Sequence, residues 1–185
     1  LTASATPDVQ KDICQKLKFK NHLIFHQSFE RKNLSYSVFK SEARMAKLVD
    51  IVSKVPGTGI VYCKSRKRTM EIMQLLQMHG VAASNYHAGL SQDERNQRQK
   101  EWIENKVRVM VCTNAFGMGI DKPDVRLVVH ADMPDCLENY YQEAGRAGRD
   151  GKRSYAVLLY DDRDIKELSG QHKIRFPSLE QIRNV

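Results

Sequence analysis

Arg146 and Arg149 stand three residues apart in the run Gln142-x-x-Gly145-Arg146-x-x-Arg149-Asp150-Gly151. A guanidinium is planar and always charged, so two side by side can grip phosphate oxygens bidentately. If the segment keeps a helical turn, this spacing puts both side chains on one face. The glycines allow a backbone or ligand to come close. A bare pair of this spacing on a basic surface is commonly only solvated charge, so the rest of the chain must support a binding role. Further candidates follow strand-like runs: Ser65 and Arg66 after Ile60–Cys63, and His87 after Val81–Tyr86. Ligands gather at the carboxyl ends of strands in open α/β sheets. Small hydroxyls, backbone N–H groups and basic side chains there suit a phosphate backbone.

The elements that must position these residues alternate. Thr6 caps a helix over Pro7–Leu17, with Pro7 at its first position. Residues 23–29 are consistent with a strand, Arg31–Asn33 is a turn, and Leu34–Val38 alternates as a second strand. Ser41 is expected to cap a helix from Glu42 to about Val55 that buries Met45, Leu48, Val49 and Val52. The strand Ile60–Cys63 leads to a helix over Thr69–His79, closed by Gly80. The strand Val81–Tyr86 leads to a capped helix over Ser91–Asn105, with Trp102 and Ile103 turned to the core. Val107–Cys112 is a central strand, and the loop from Thr113 to Val125, with two glycines, a proline and two acids, is long and shaped. Core packing is expected for Phe116 and Met118. Arg126–Ala131 is a strand, Leu137–Ala144 a helix interrupted by Gly145 and Gly148, Tyr155–Tyr160 a strand and Asp161–Ser169 a helix. This alternation predicts an α/β fold with a mostly parallel sheet flanked by helices.

The bulk composition restricts the class. The 185 residues are 41% hydrophobic and 28% charged, which describes an ordinary globular chain. No apolar run approaches the roughly 20 residues that span a bilayer, and no signal peptide is visible, so no membrane partner is expected. The net charge of +8 favours a polyanionic partner, of which nucleic acid is the common one. Cys14, Cys63, Cys112 and Cys136 are scattered without a CxxC, so no zinc site is expected; Cys63 and Cys112 are expected to be small buried hydrophobes. A reducing compartment follows from this cysteine usage.

Taken in order, these segments resemble the motifs of RecQ-family DNA helicases in superfamily 2. Leu1–Thr6 (LTASAT) is similar to the third helicase motif. Arg31, Asn33 and Leu34 resemble the RecQ segment Arg-Pro-Asn-Leu, with Lys32 in place of proline. The run from Gly59 to Arg68 resembles the fourth motif, and Tyr86–Leu90 (YHAGL) a RecQ segment that contacts a nucleic-acid strand. Thr113–Val125 resembles the fifth motif and Gln142–Gly151 the sixth.

The resemblance implies a RecA-like second lobe over residues 21–169. Residues 1–20 would be the end of the first lobe and a linker, and 170–185 the start of whatever follows. It implies that Arg149 is the arginine finger to the ATP γ-phosphate and Arg146 a supporting phosphate sensor. Gly119, Asp121 and Gln142 would join them at the nucleotide edge. Ser65, Arg66, His87, Gly89, Thr113 and Asn114 would line a track for DNA. It further implies ATP and Mg²⁺ as cofactors, single-stranded and forked DNA as partners, 3′-to-5′ movement, and a nucleoid or nuclear location.

The sequence has no G-x-x-x-x-G-K-[ST] phosphate loop and no Asp-Glu-x-His-type motif. Both belong to the first lobe in the family resembled, so the chain is expected to be inactive alone. Two alternatives remain. A DEAD-box RNA helicase lobe shares the expected fold, but its sixth motif usually starts with His where Gln142 stands and its fifth lacks Phe-Gly-Met-Gly. A non-catalytic DNA-binding module with this fold would bind DNA in a salt-dependent way without needing Arg149.

Overall fold

Thr58–Tyr62 and Val109–Cys112 are buried at every position. Strands covered on both faces require helices on both sides. The computed structural model describes residues 6–20, 23, 25, 30–117 and 120–175. Residues 1–31 form one unit and residues 32–185 another. In the first unit, α1 (Pro7–Lys16) starts as expected: Thr6 accepts a hydrogen bond from the Val9 amide and Pro7 opens the helix. The strand expected over 23–29 and most of the LTASAT run lie outside the described residues.

The second unit runs β1 (Leu34–Lys40), α2 (Arg44–Lys54), β2 (Thr58–Tyr62), α3 (Arg66–Met78), β3 (Ala83–Tyr86), α4 (Gln92–Ile103), β4 (Val109–Cys112), β5 (Val125–His130), α5 (Leu137–Ala144), β6 (Ser154–Tyr160) and α6 (Asp162–Arg175). The six strands form one sheet in the order β1-β6-β5-β2-β4-β3, and every pair is parallel. Because side chains alternate across a strand, two cores result. Val61, Val109, Val111, Val129 and Leu159 meet Leu48 and Val52 of α2 and Ile72 and Leu76 of α3. On the other face, Ile60, Met110, Val128 and Ala156 meet Trp102 of α4, Phe116, and Ala144 of α5. The α/β expectation therefore holds, and Phe116, Cys63 and Cys112 are buried as expected. Met118 lies outside the described residues.

Three expectations are corrected. Ser41 does not cap α2: its amide bonds the Tyr160 carbonyl, extending the β1–β6 pairing, and the helix begins after Ala43 with no side-chain cap. Ile103 is 42% exposed, whereas Ile51, not anticipated, is buried in α2. Helix α3 begins at Arg66, three residues before the expected start, because the Ser65 side chain accepts from the Arg68 amide and caps it.

Candidate functional site

The candidates that follow β2, β3 and β4 fall at the carboxyl edge of the sheet. Ser65 is the N-cap of α3 beyond β2, His87 follows β3, and Thr113 follows β4, its amide bonded to the Tyr86 carbonyl at 3.2 Å. The first turn of α3 carries Arg66, Lys67 and Arg68, although cations at a helix N-terminus oppose its dipole. Arg68 is used structurally: its Nε donates to both carboxylate oxygens of buried Asp132, at 3.1 and 3.2 Å. The Arg66 guanidinium makes no hydrogen bond or ion pair among the described residues and lies against Gly89, where an added Cβ would come within 2.8 Å of its Nη1. Gly89 thus leaves room for the guanidinium. Asn114 is exposed and Thr113 half-buried beside them. A cleft of about 110 Å³, lined by Asn114 and Lys64 among others, opens between the carboxyl ends of β2 and β5. The chain turns to opposite sides of the sheet from these two strands, the position at which α/β sheets take ligands.

His87 is buried, with Nδ1 lacking a hydrogen-bond partner. Burial, and then the charges of Arg66 and Arg98, hold its pKa below the usual 6.5. Arg98 is itself tied to the Asn85 carbonyl at 3.0 Å and to the Asn85 side chain. The unfolded chain takes up this proton near the ordinary value, whereas the folded chain resists it to lower pH. His87 therefore subtracts stability as pH falls below 6.5. We expect urea unfolding at pH 7.5 and 5.5 to show a smaller acid loss for His87→Gln than for the wild type. An equal loss in both would remove His87 as a cause.

The arginine pair faces the far part of the loop that starts at Thr113. After α5 ends at Ala144, Gly145 caps it in the right-handed helical region, and the Arg146 and Ala147 amides make tight bonds to Glu143 and Ala144. Gly148 then takes φ +63° and breaks the turn. The two guanidiniums converge on the loop after β4 all the same. Arg146 Nη1 donates to the Gly117 carbonyl at 2.7 Å. Arg149 Nη1 donates to the Ile120 carbonyl at 3.5 Å and the Asp121 carboxylate at 3.1 Å. Arg146 Nε is buried without a partner, a donor that an oxyanion would satisfy. Arg149 is 38% exposed and Asp121 81%, so their ion pair is solvated and weak. Gln142 is exposed on α5, and Gly119 lies outside the described residues.

Phe116 links the two groups. Its ring packs edge-on against Tyr86 at 4.8 Å and Trp102 at 5.4 Å, and its carbonyl accepts from the Tyr62 hydroxyl at 3.1 Å. Burial pushes the Tyr62 hydroxyl well above its ordinary pKa, so it stays a donor. From this anchor the chain runs one way to Thr113 and Asn114 and the other way to Gly117, under Arg146. One loop therefore touches both sets of candidates.

Several contributors were not anticipated. Lys122 is buried, with Nζ bonded to the Ile103 carbonyl at 3.1 Å and Asn105 Oδ1 at 2.9 Å, and it ties the loop to the end of α4. His130 is 1% exposed and shares a 2.8 Å contact with Glu143, which fixes the last turn of α5 to β5. Arg44 gathers Asp161 and Asp164 at 3.2 and 2.9 Å, with Asp132 at 3.7 Å. Hydrogen bonds from the Arg163 side chain and amide, and then the charge on Arg44, hold the Asp161 carboxyl well below the usual range. The only sequence sign of these roles was the position of Asp132 and Asp161 just after strands. No group of three His, Cys, Asp or Glu side chains that could hold a metal occurs among the described residues. No helix among them is long and apolar enough to cross a membrane.

The chain matches the family described as the helicase conserved C-terminal domain over residues 43–151. It is 47% identical over 169 residues to the RecQ-like DNA helicase blm-1 of Caenorhabditis elegans, covering 89% of this chain and 17% of that protein. It is 45% identical over 167 residues to the putative ATP-dependent RNA helicase R290 of Acanthamoeba polyphaga mimivirus, covering 89% of this chain and 30% of that protein. The chain spans less than a third of the length of either relative. A DEAD box protein from the hyperthermophile Methanococcus jannaschii shares the fold with a TM-score of 0.68, at 25% identity, over 92% of this chain and 47% of that one.

Proposed function

Because the chain belongs to the helicase conserved C-terminal domain family, we propose that it is the second motor lobe of an ATP-dependent 3′-to-5′ DNA helicase. Its partner would be a first lobe that carries the phosphate loop. The observation that carries this reading is the convergence of Arg146 and Arg149 on the loop whose other end opens at the carboxyl edge, beside Ser65, Arg66, His87 and Gly89.

ATP bound with Mg²⁺ supplies the phosphoanhydride whose cleavage drives the cycle, and the two arginines, with Gly119, Asp121 and Gln142, form this lobe's side of that site. Arg149 neutralises charge that develops on the transferring phosphoryl group, and Arg146 holds a neighbouring oxygen through its unsatisfied Nε. The donor set fits a polyphosphate: two guanidiniums on one loop, one with a buried N–H to spare. Magnesium would be held by the first lobe. At the other end of the loop, Ser65 and the α3 amides, Arg66, His87, Gly89, Thr113 and Asn114 grip the phosphates of one DNA strand. An arginine that leaves Gly117 or Asp121 for a phosphate changes what restrains the loop, so nucleotide state and DNA grip are coupled through Phe116. Single-stranded and forked DNA are the polyanions this track would take.

The track is tested by fluorescence anisotropy of a labelled single strand across a salt series. Arg66→Ala should weaken binding about equally for all sequences and lower the salt slope by about 1. An unchanged slope would move the strand off this edge. The name of the mimivirus relative speaks of RNA, so the same series is run on RNA. Tighter RNA binding, together with stimulation of ATP turnover by RNA alone, would replace the DNA reading.

A further inference from the structure

The start of β1 lies far in sequence from the arginine turn and meets it directly. Asn33 Nδ2 donates to the Gly148 carbonyl at 2.7 Å and to the Lys152 carbonyl at 2.9 Å. Those carbonyls flank Arg149 on both sides. The backbone of Asn33 is itself held, its carbonyl accepting from the Ser154 amide at 2.8 Å, so the side chain starts from a fixed point in the β1–β6 ladder. The turn has little room: a Cβ at Gly148 would lie 2.5 Å from Asn33 Nδ2 and 2.7 Å from Ser154 Oγ. Its other edge is tied down by the Gly148 amide to the Val125 carbonyl at 2.8 Å, by the Asp150 amide to the Pro123 carbonyl at 3.1 Å, and by Arg126 to Asp150 at 2.6 Å.

We propose that Asn33 is a positioning residue for Arg149: its one amide, bonded to the carbonyls on either side, sets the backbone from which the Arg149 guanidinium reaches the nucleotide. Only a planar NH₂ group offers two protons to two carbonyls from one short stem. An aspartate would set a carboxylate against two carbonyl oxygens, and an alanine would leave both without this donor. The Arg149 side chain is long and its ion pair with Asp121 is solvated, so that contact cannot aim it. The aim must come from the backbone, and Asn33 supplies the side-chain restraint on its carbonyls, those of Gly148 and Lys152, while Val125, Pro123 and Arg126 hold the other edge. This inference rests on the reading of Arg149 as the finger.

The test is a double-mutant cycle in a two-lobed protein that joins this chain to its phosphate-loop lobe. For Asn33→Ala, the DNA-stimulated kcat should fall roughly tenfold to a hundredfold, the cost of misplacing a reacting group by about 1 Å. KM for ATP and affinity for single-stranded DNA should stay at wild-type values. In an Arg149→Ala background, Asn33→Ala should lower kcat no further, because its effect passes through the missing guanidinium. A purely structural role predicts an independent, additive loss and overturns the inference. If Arg149→Ala turns over normally, the finger reading itself fails. If it is slow while Asn33→Ala is normal, only the role of Asn33 fails.

Amide hydrogen exchange on the chain guards against general unfolding. Asn33→Ala should speed exchange at Gly148 and Asp150 while β5 stays protected. Faster exchange across the whole sheet would make Asn33 a stability residue and overturn its positioning role.

Discussion

Arg149→Ala, in the two-lobed protein, should lower DNA-stimulated ATP turnover by about 10³-fold or more while ATP and DNA still bind, the scale of an arginine finger in other nucleotide hydrolases. The structure contains little that would hold Arg149 back. Among the described residues its partners are one carbonyl and the carboxylate of Asp121, itself 81% exposed. A solvated pair of this kind contributes about 0–1 kcal/mol, far less than a charge-assisted contact to a phosphoryl group in a closed, dry cleft. Arg149→Lys keeps the charge without the fork and should recover only part of the rate. Unchanged turnover in Arg149→Ala would make the pair surface charge or a DNA contact and would remove the motor mechanism, even with the fold intact. The chain by itself should hydrolyse no ATP, because a finger acts only on a phosphate that a phosphate loop and a metal have placed. Hydrolysis by the purified chain that disappears in Arg149→Ala would contradict this.

The largest effect on stability is expected at Trp102. Its side chain is fully buried, donates from Nε1 to the Gly59 carbonyl at 3.2 Å, and packs edge-on against Phe116. The Lys122 ammonium lies 5.5 Å from the centre of its ring. Trp102→Ala should cost about 3–5 kcal/mol, from lost apolar burial plus the cavity left behind, and would leave the Gly59 carbonyl short of a partner. Urea unfolding followed by circular dichroism measures this. Trp102 is the sole tryptophan, so fluorescence cannot follow the variant. A loss under about 1 kcal/mol, the size of an average substitution, would show that α4 is held to the sheet by other contacts. The expected consequence reaches the site, since Phe116 would lose one wall of its socket and the loop between the arginines and Thr113 would loosen.

The parts of the fold that depend on neighbours in sequence were legible. Buried runs such as Ile60–Cys63, the Thr6–Pro7 helix start, the Ser91 cap with Glu94 and the break at Gly145 and Gly148 all follow from local propensity and period. The motif order placed the chain in its family, because several strings recur in fixed sequence. Where local signals competed with the sheet, the local expectation failed. Ser41 has the chemistry of a cap, yet its amide is spent on the Tyr160 carbonyl. The helix expected from Thr69 starts at Arg66 instead, capped by Ser65, and Asp132 neutralises Arg68. Ile103 next to Trp102 looked like core, but a helix turns 100° per residue, and with Trp102 fully buried Ile103 falls at the flank and stays 42% exposed.

By itself the sequence determined the α/β alternation, the parallel sheet, the family and the residue types that can bind phosphate, since periodicity, capping and motif spacing are properties of contiguous residues. The tertiary structure alone decided which of those residues meet. Strand order puts β1 beside β6, and so brings Asn33 to Gly148 across 115 positions. It puts β5 between β6 and β2, so that Asp132 can reach both Arg44 and Arg68. It also packs Phe116 against Tyr86 and Trp102, which makes one loop serve the arginines at one end and the carboxyl edge at the other. Such contacts are fixed by how apolar faces pair across the sheet, a choice made by the whole chain at once and written in no single segment of it.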